Sequence, residues 1–238
     1  MPTVVVQDRT TNESATSPAA DPATFAGMLE AHKVASIRVI GDSQTAGYLL
    51  DGYDGESDTG VVVYEGSEGV FTETATSVPC WTNLFRAYAA DHGVKDFVNA
   101  GVSGSRMQYL AEEPASWLGD GADVIVVMLG TNDACKVSVE EFGGYAEQAL
   151  TACDEACKHL VVVTPPKNRR NDAQNLYGME EVDKVLAGLC KEHDWEHVSL
   201  IDALQPGTDD FFEDEAHPTE SGSKKLWEAF RSQLELPN

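Results

Sequence analysis

The chain has 238 residues, at the upper end of what one hydrophobic core supports, and a hydrophobic content of 42% is enough to build that core. Asp and Glu number 40 against 16 Lys and Arg, a formal net charge of -24. A field of that sign repels nucleic-acid phosphates and anionic lipid, so neither a nucleic acid nor a membrane is expected as a partner.

Residues Thr10 to Ala20 are rich in Ser, Thr, Ala and Asn, and residues 1–20 read as a flexible leader, which leaves 21–238 as a single domain. Their start, Met1 to Asp8, lacks the basic segment and long apolar stretch of a secretion signal. No run of about 18 apolar residues could span a bilayer, and a cytoplasmic location is expected. Asp21-Pro22 predicts an N-cap and the first position of a short helix reaching about His32, with Phe25, Met28 and Leu29 on its packed face.

From there strand and helix signals alternate. Apolar runs at Ile37–Ile40, Phe97–Val98, Val124–Leu129, Leu160–Val163 and Val198–Ile201 are too short and too β-branched for helices. Amphipathic stretches separate them. One spans about Cys80 to His92, with Trp81, Leu84, Phe85 and Tyr88 on a face, and another opens on the capping-box pattern Ser138-Val139-Glu140-Glu141. A third carries Met179, Val182, Val185, Leu186 and Leu189, and the last carries Leu226, Trp227, Phe230 and Leu234. The alternation implies a five-stranded parallel sheet covered by helices on both faces, an α/β fold of the three-layer α/β/α sandwich type.

Residues 51–78 break the rhythm. They are acidic and glycine-rich, with two strand-like pieces, Val61–Tyr64 and Val70–Thr74, that the turn Glu65-Gly66-Ser67-Glu68-Gly69 could join as a hairpin. An insertion of this length is either a lid or binding loop or a solvated excursion. The five cysteines, Cys80, Cys135, Cys153, Cys157 and Cys190, form no Cys-x-x-Cys pair, and the histidine nearest Cys157 falls on an expected strand. They read as small thiols of a reducing compartment, and neither a metal nor a cofactor is expected.

Four polar motifs follow the apolar runs: Gly41-Asp42-Ser43, Asn99-Ala100-Gly101-Val102-Ser103-Gly104, Gly130-Thr131-Asn132-Asp133 and Asp214-Glu215-Ala216-His217. The carboxyl ends of parallel strands share one edge, so these segments should converge. Taken singly each has a plainer reading: Ser43 as a helix cap, Gly104 as a tight turn, Asn132 as a loop cap, Asp214 and His217 as surface residues. Together they supply a hydroxyl, an imidazole, a carboxylate to fix its tautomer and several amide donors, an inventory for acyl transfer.

In these blocks and their order the chain resembles the SGNH hydrolase superfamily, the GDSL-type esterases and lipases, from about Ser36 to the C-terminus. Gln44 stands where that family usually has leucine. The resemblance implies a flavodoxin-like fold, Ser43 as nucleophile, and His217 and Asp214 as its partners. It also implies an oxyanion hole from Ser43, Gly104 and Asn132, with Gly101 the near rival of Gly104. Serine ester hydrolysis without cofactor follows, on a small-molecule or glycan ester; short acyl groups are expected, acetyl esters among them. Transfer of the acyl group to another alcohol, and ligand binding without turnover, are the alternatives. Arg106, Arg169 and Arg170 are candidates to hold an anionic part of the substrate, the last two in the basic loop Lys167-Asn168-Arg169-Arg170, which could equally balance local acids.

Overall fold

A computed structural model describes residues 21, 23–169 and 174–237; the expected leader, Pro22 and Arg170 lie outside them. In chain order the elements are α1 (Phe25–Glu30), β1 (Ser36–Gly41), α2 (Ser43–Ala46), β2 (Val62–Gly66), β3 (Gly69–Thr72), α3 (Trp81–Asp91), β4 (Asp96–Gly101), α4 (Met107–Glu112), α5 (Pro114–Leu118), β5 (Ala122–Met128), α6 (Val139–Glu155), β6 (Cys157–Thr164), α7 (Met179–His193), β7 (Glu196–Ser199) and α8 (Glu220–Gln233). The five apolar runs form one parallel sheet in the order β4-β1-β5-β6-β7, and β2 and β3 pair as a separate antiparallel hairpin. Numbered along the chain, the five sheet strands lie in the doubly wound order 2-1-3-4-5, the flavodoxin-like arrangement.

Alternate residues of the central strands feed two cores. Ile125 and Val127 face α4 to α7, packing with Leu110, Trp117, Phe142 and Leu186. Val124 and Val126 face α1, α3 and α8, packing with Phe25, Trp81, Phe85 and Phe230. All four of these β-branched residues are fully buried, each contributing about 1.5–3 kcal/mol of apolar transfer. Both faces being covered is why the strands read as continuous β-branched runs rather than alternating ones.

The capping box at Ser138 forms as expected, with reciprocal bonds between Ser138 and Glu141. The first helix starts later than Asp21 predicts. Asp21 organises a turn, its carboxylate accepting from Ala23 N–H, and Thr24 is the N-cap, accepting from Gly27 N–H. Helices α4 and α5 have no counterpart in the sequence reading; at six and five residues they are too short to show a period.

Residues 51–78 are tied down at several points. The Arg38 guanidinium donates to the Val63 carbonyl at 2.9 Å, and buried Glu73 pairs with Arg86. Glu73 also accepts the Asn99 N–H at 2.5 Å, while Arg86 donates to the Phe97 carbonyl at 2.7 Å. Those backbone groups belong to β4, a sheet edge, so Glu73 of the insertion and Arg86 of α3 supply partners that an open edge lacks. The cysteines are all free, and burial pushes the Cys80 thiol up to about 11. No described helix is long and apolar enough to cross a membrane.

Candidate active site

Strand register aligns three of the four motifs. Gly41 pairs with Gly101 on one side and Met128 on the other, so Ser43, Gly104 and Asn132 all leave the sheet at the same level. This is the edge at which the strand order reverses, where open α/β sheets bind ligands.

Ser43 opens the four-residue helix α2, and its N-cap Asp42 accepts the Gln44 N–H at 2.9 Å. The turn is held from beneath: Asn99 Nδ2 and Thr82 Oγ1 both donate to the Thr45 carbonyl, at 3.2 and 3.0 Å. Buried Gln44 donates from Nε2 to the Ala216 carbonyl at 3.0 Å, a direct tie between the serine turn and the histidine loop. Residues 211–218 form that loop, closed by the Phe211–Pro218 bridge and by Phe212 N–H donating to the His217 carbonyl at 2.9 Å. Asp210 anchors its base, accepting from Gln205 N–H at 3.0 Å and from Lys225 Nζ at 2.5 Å.

Across these turns runs one hydrogen-bonded line. Ser43 Oγ lies 2.9 Å from His217 Nε2, and His217 Nδ1 lies 2.5 Å from Asp214 Oδ2. The other Asp214 oxygen accepts the Ala216 and His217 N–H groups at 3.0 and 3.1 Å. Burial pushes the Asp214 carboxyl up, but the bonds from the His217 ring and these two amides outweigh it and hold the group below its ordinary range. A carboxylate that stays ionised on Nδ1 leaves Nε2 to take a proton from the hydroxyl, which is how a weak alcohol nucleophile is activated.

The structure separates the two rival glycines. Gly101 sits inside β4 against α2, where a Cβ would lie 2.4 Å from the Ala46 nitrogen. Gly104 is exposed at φ +84°, open to a cleft of about 270 Å³ lined by Ser43, Tyr48, Ser103, Gly104 and His217. Asn132, buried beside them, donates from Nδ2 to the Ser105 carbonyl at 2.9 Å and to Asp42 at 3.3 Å. The next residue, Asp133, accepts the Met107 and Gln108 N–H groups at 3.0 and 3.4 Å, tying the Asn132 turn to the helix that follows Gly104.

Neither Arg106 nor Arg169 lines this cleft, and Arg170 lies outside the described residues. The Arg106 guanidinium stacks 4.3 Å above the Tyr109 ring and donates to its hydroxyl, three residues on. Arg169 is held on the histidine loop, its N–H donating to the Glu215 carbonyl at 2.9 Å. Lys167 pairs with Asp202 and Glu180. Two neighbours of the site were not legible in the sequence: Tyr48, whose ring centroid is 4.7 Å from that of His217, and Tyr53, whose hydroxyl is 2.7 Å from Ser103 Oγ. No group of three or more His, Cys, Asp or Glu suited to a metal ion occurs among the described residues.

Compared with known proteins, the sequence matches the GDSL-like Lipase/Acylhydrolase family over residues 39–225. None of the curated proteins compared with it matches. Among solved structures, an alpha/beta hydrolase enzyme from the metagenome of Lake Arreo, Spain, superposes with a TM-score of 0.66 at 20% identity, over 86% of this chain and 96% of that one. An acetylxylan esterase from Geobacillus stearothermophilus gives 0.65 at 17% identity, over 85% of this chain and 95% of that one. At such identities the likeness is one of fold.

Proposed function

The chain belongs to the GDSL-like lipase/acylhydrolase family and is an esterase, and from that premise we propose that Ser43, His217 and Asp214 hydrolyse short-chain acyl esters, acetyl esters of carbohydrates foremost. The observation that carries this reading is the unbroken line from Ser43 Oγ through His217 to Asp214, assembled from segments 174 residues apart.

Ser43 Oγ attacks the ester carbonyl as His217 Nε2 takes its proton. The tetrahedral oxyanion is held by the Ser43 and Gly104 N–H groups and by Asn132 Nδ2, whose longer bond, to Asp42, is the one that yields. His217 then protonates the departing alcohol. Water enters, gives its proton to His217, attacks the acyl-enzyme, and releases the acid while Ser43 regains its proton. The scheme calls on no metal or cofactor. The small cleft beside Ser43 favours a short acyl group, and the acetylxylan esterase that shares the fold points the same way.

Hydrolysis of p-nitrophenyl acetate, butyrate and octanoate by wild type and Ser43→Ala tests this. Turnover is expected to fall with acyl length, to be unaffected by a chelator, and to drop about 10⁴-fold or more in the variant. A Ser43→Ala protein that keeps wild-type turnover overturns the reading.

A further inference from the structure

The β2–β3 hairpin and α5 build a second cavity next to the Ser43 cleft. Tyr64, Phe71, Tyr109 and Trp117 supply its aromatic walls, Glu68 stands at its rim, and Ser103, Gly104 and Ser105 close the side toward the nucleophile. Its volume is about 230 Å³. Ser103 and Gly104 line both spaces, so one molecule can occupy the two together.

The aromatic floor is fixed in place. Buried Tyr64 packs on buried Trp117 with ring centroids 4.7 Å apart, and on Phe71 at 5.9 Å. The Tyr64 hydroxyl donates to Glu113 at 2.7 Å, and the Ser67 N–H donates to the same oxygen at 3.0 Å. With Arg38 holding the Val63 carbonyl, the hairpin is a standing wall and not a flap. Phe71, 37% exposed, also borders a further cavity of about 270 Å³ that takes in Tyr53, Asp54 and Ser57 and again reaches Ser103.

The lining selects a class of ligand. Aromatic faces set among hydroxyls and carboxylates match a ring with an apolar C–H face and a hydroxylated edge; an alkyl chain would leave those polar groups facing hydrocarbon. Each space is below the roughly 300–1,000 Å³ of a drug-sized site, room for one ring apiece. Among the described residues no Lys or Arg lines either cavity, whereas Glu68 and Asp54 do, in a chain of net charge -24. Arg106 is engaged on Tyr109. An anionic ring is therefore repelled.

We propose that the aromatic cavity is a subsite for a neutral sugar ring in the alcohol part of the substrate, so that the enzyme prefers acyl esters of uncharged oligosaccharides. This rests on the role given to Ser43 above. Phe71→Ala removes the exposed wall and leaves the Tyr64–Trp117 floor. The readout is kcat/KM for an acetylated xylo-oligosaccharide divided by that for ethyl acetate, whose leaving group is too small to reach the cavity. That ratio is expected to fall about tenfold, mainly through KM. An unchanged ratio overturns the subsite. So does a rise of kcat/KM with acyl length that Phe71→Ala abolishes, because the cavity would then hold the acyl chain. A second measurement stands apart from catalysis: unacetylated xylo-oligosaccharide titrated into Ser43→Ala protein, followed by tryptophan fluorescence. Saturable binding weakened about tenfold by adding Phe71→Ala supports the subsite even if Ser43 proves not to be the nucleophile. Absence of saturable binding overturns it even if Ser43 is.

Discussion

At the scale of single residues, Asn132 carries the sharpest expectation. Its amide already reaches toward the serine turn, bonded to Asp42 and to the Ser105 carbonyl, so its position is set before substrate arrives. Asn132→Ala should lower kcat by about 10² to 10³, the cost of losing one oxyanion donor, with KM little changed. If Asn132 served only to hold the Ser105 loop, KM would rise along with the fall in kcat, or neither would move. That Ser43, Asp214, His217, Gly104 and Asn132 would come together was legible because their types and order are themselves the signal. Gln44 was legible only as an oddity. Its bond to Ala216 links positions 172 residues apart, and nothing local announces which carbonyl a buried amide will find. The arginines show the converse: Arg106 lies two residues beyond Gly104, yet an aromatic ring three positions on decides where its guanidinium goes.

At the scale of elements, Asp133 joins two pieces of the site. Helix α4 has Arg106 at its N-cap with no side-chain cap of its own, and the Asp133 carboxylate caps it from another loop. Burial is the largest influence on that carboxyl and pushes it up to about 6, against the relief given by the Met107 and Gln108 amides. A folded-state value above the unfolded one, about 3.9, means that this group's stabilisation is complete below the unfolded value and is lost as pH rises through about 6. The difference amounts to about 3 kcal/mol. Urea unfolding at about pH 5 and about pH 7 should therefore show a larger loss of stability on going to the higher pH in wild type than in Asp133→Asn. Equal losses in the two proteins would contradict it. Elements of this kind resist sequence reading because their caps come from elsewhere in the chain. The hairpin is a milder case: its strands were expected at Val61–Tyr64 and Val70–Thr74, but Gly66 pairs with Gly69, which tightens the turn to Ser67-Glu68 and shifts both strands. The longer helices were legible, since α3, α6, α7 and α8 each run for three turns or more and show their period.

At the scale of the molecule, the site is a product of topology. The strand order sets β1 between β4 and β5, which delivers three motifs to adjacent strand ends, and the loop before α8 brings the fourth across to them. That much follows from a rule about parallel sheets and could be read in advance. The covering of the β4 edge by Glu73 and Arg86 could not, because a charged pair between one residue of an irregular insertion and one of α3 leaves no periodic trace. We propose that folding makes Ser43 a nucleophile by placing His217 and Asp214 behind it, and labelling with a fluorophosphonate measures that most directly. Mass spectrometry should find one adduct, on Ser43, formed rapidly by the native protein and lost in His217→Ala and after denaturation. An adduct on another residue, or undiminished labelling of Ser43 in His217→Ala, would contradict the account.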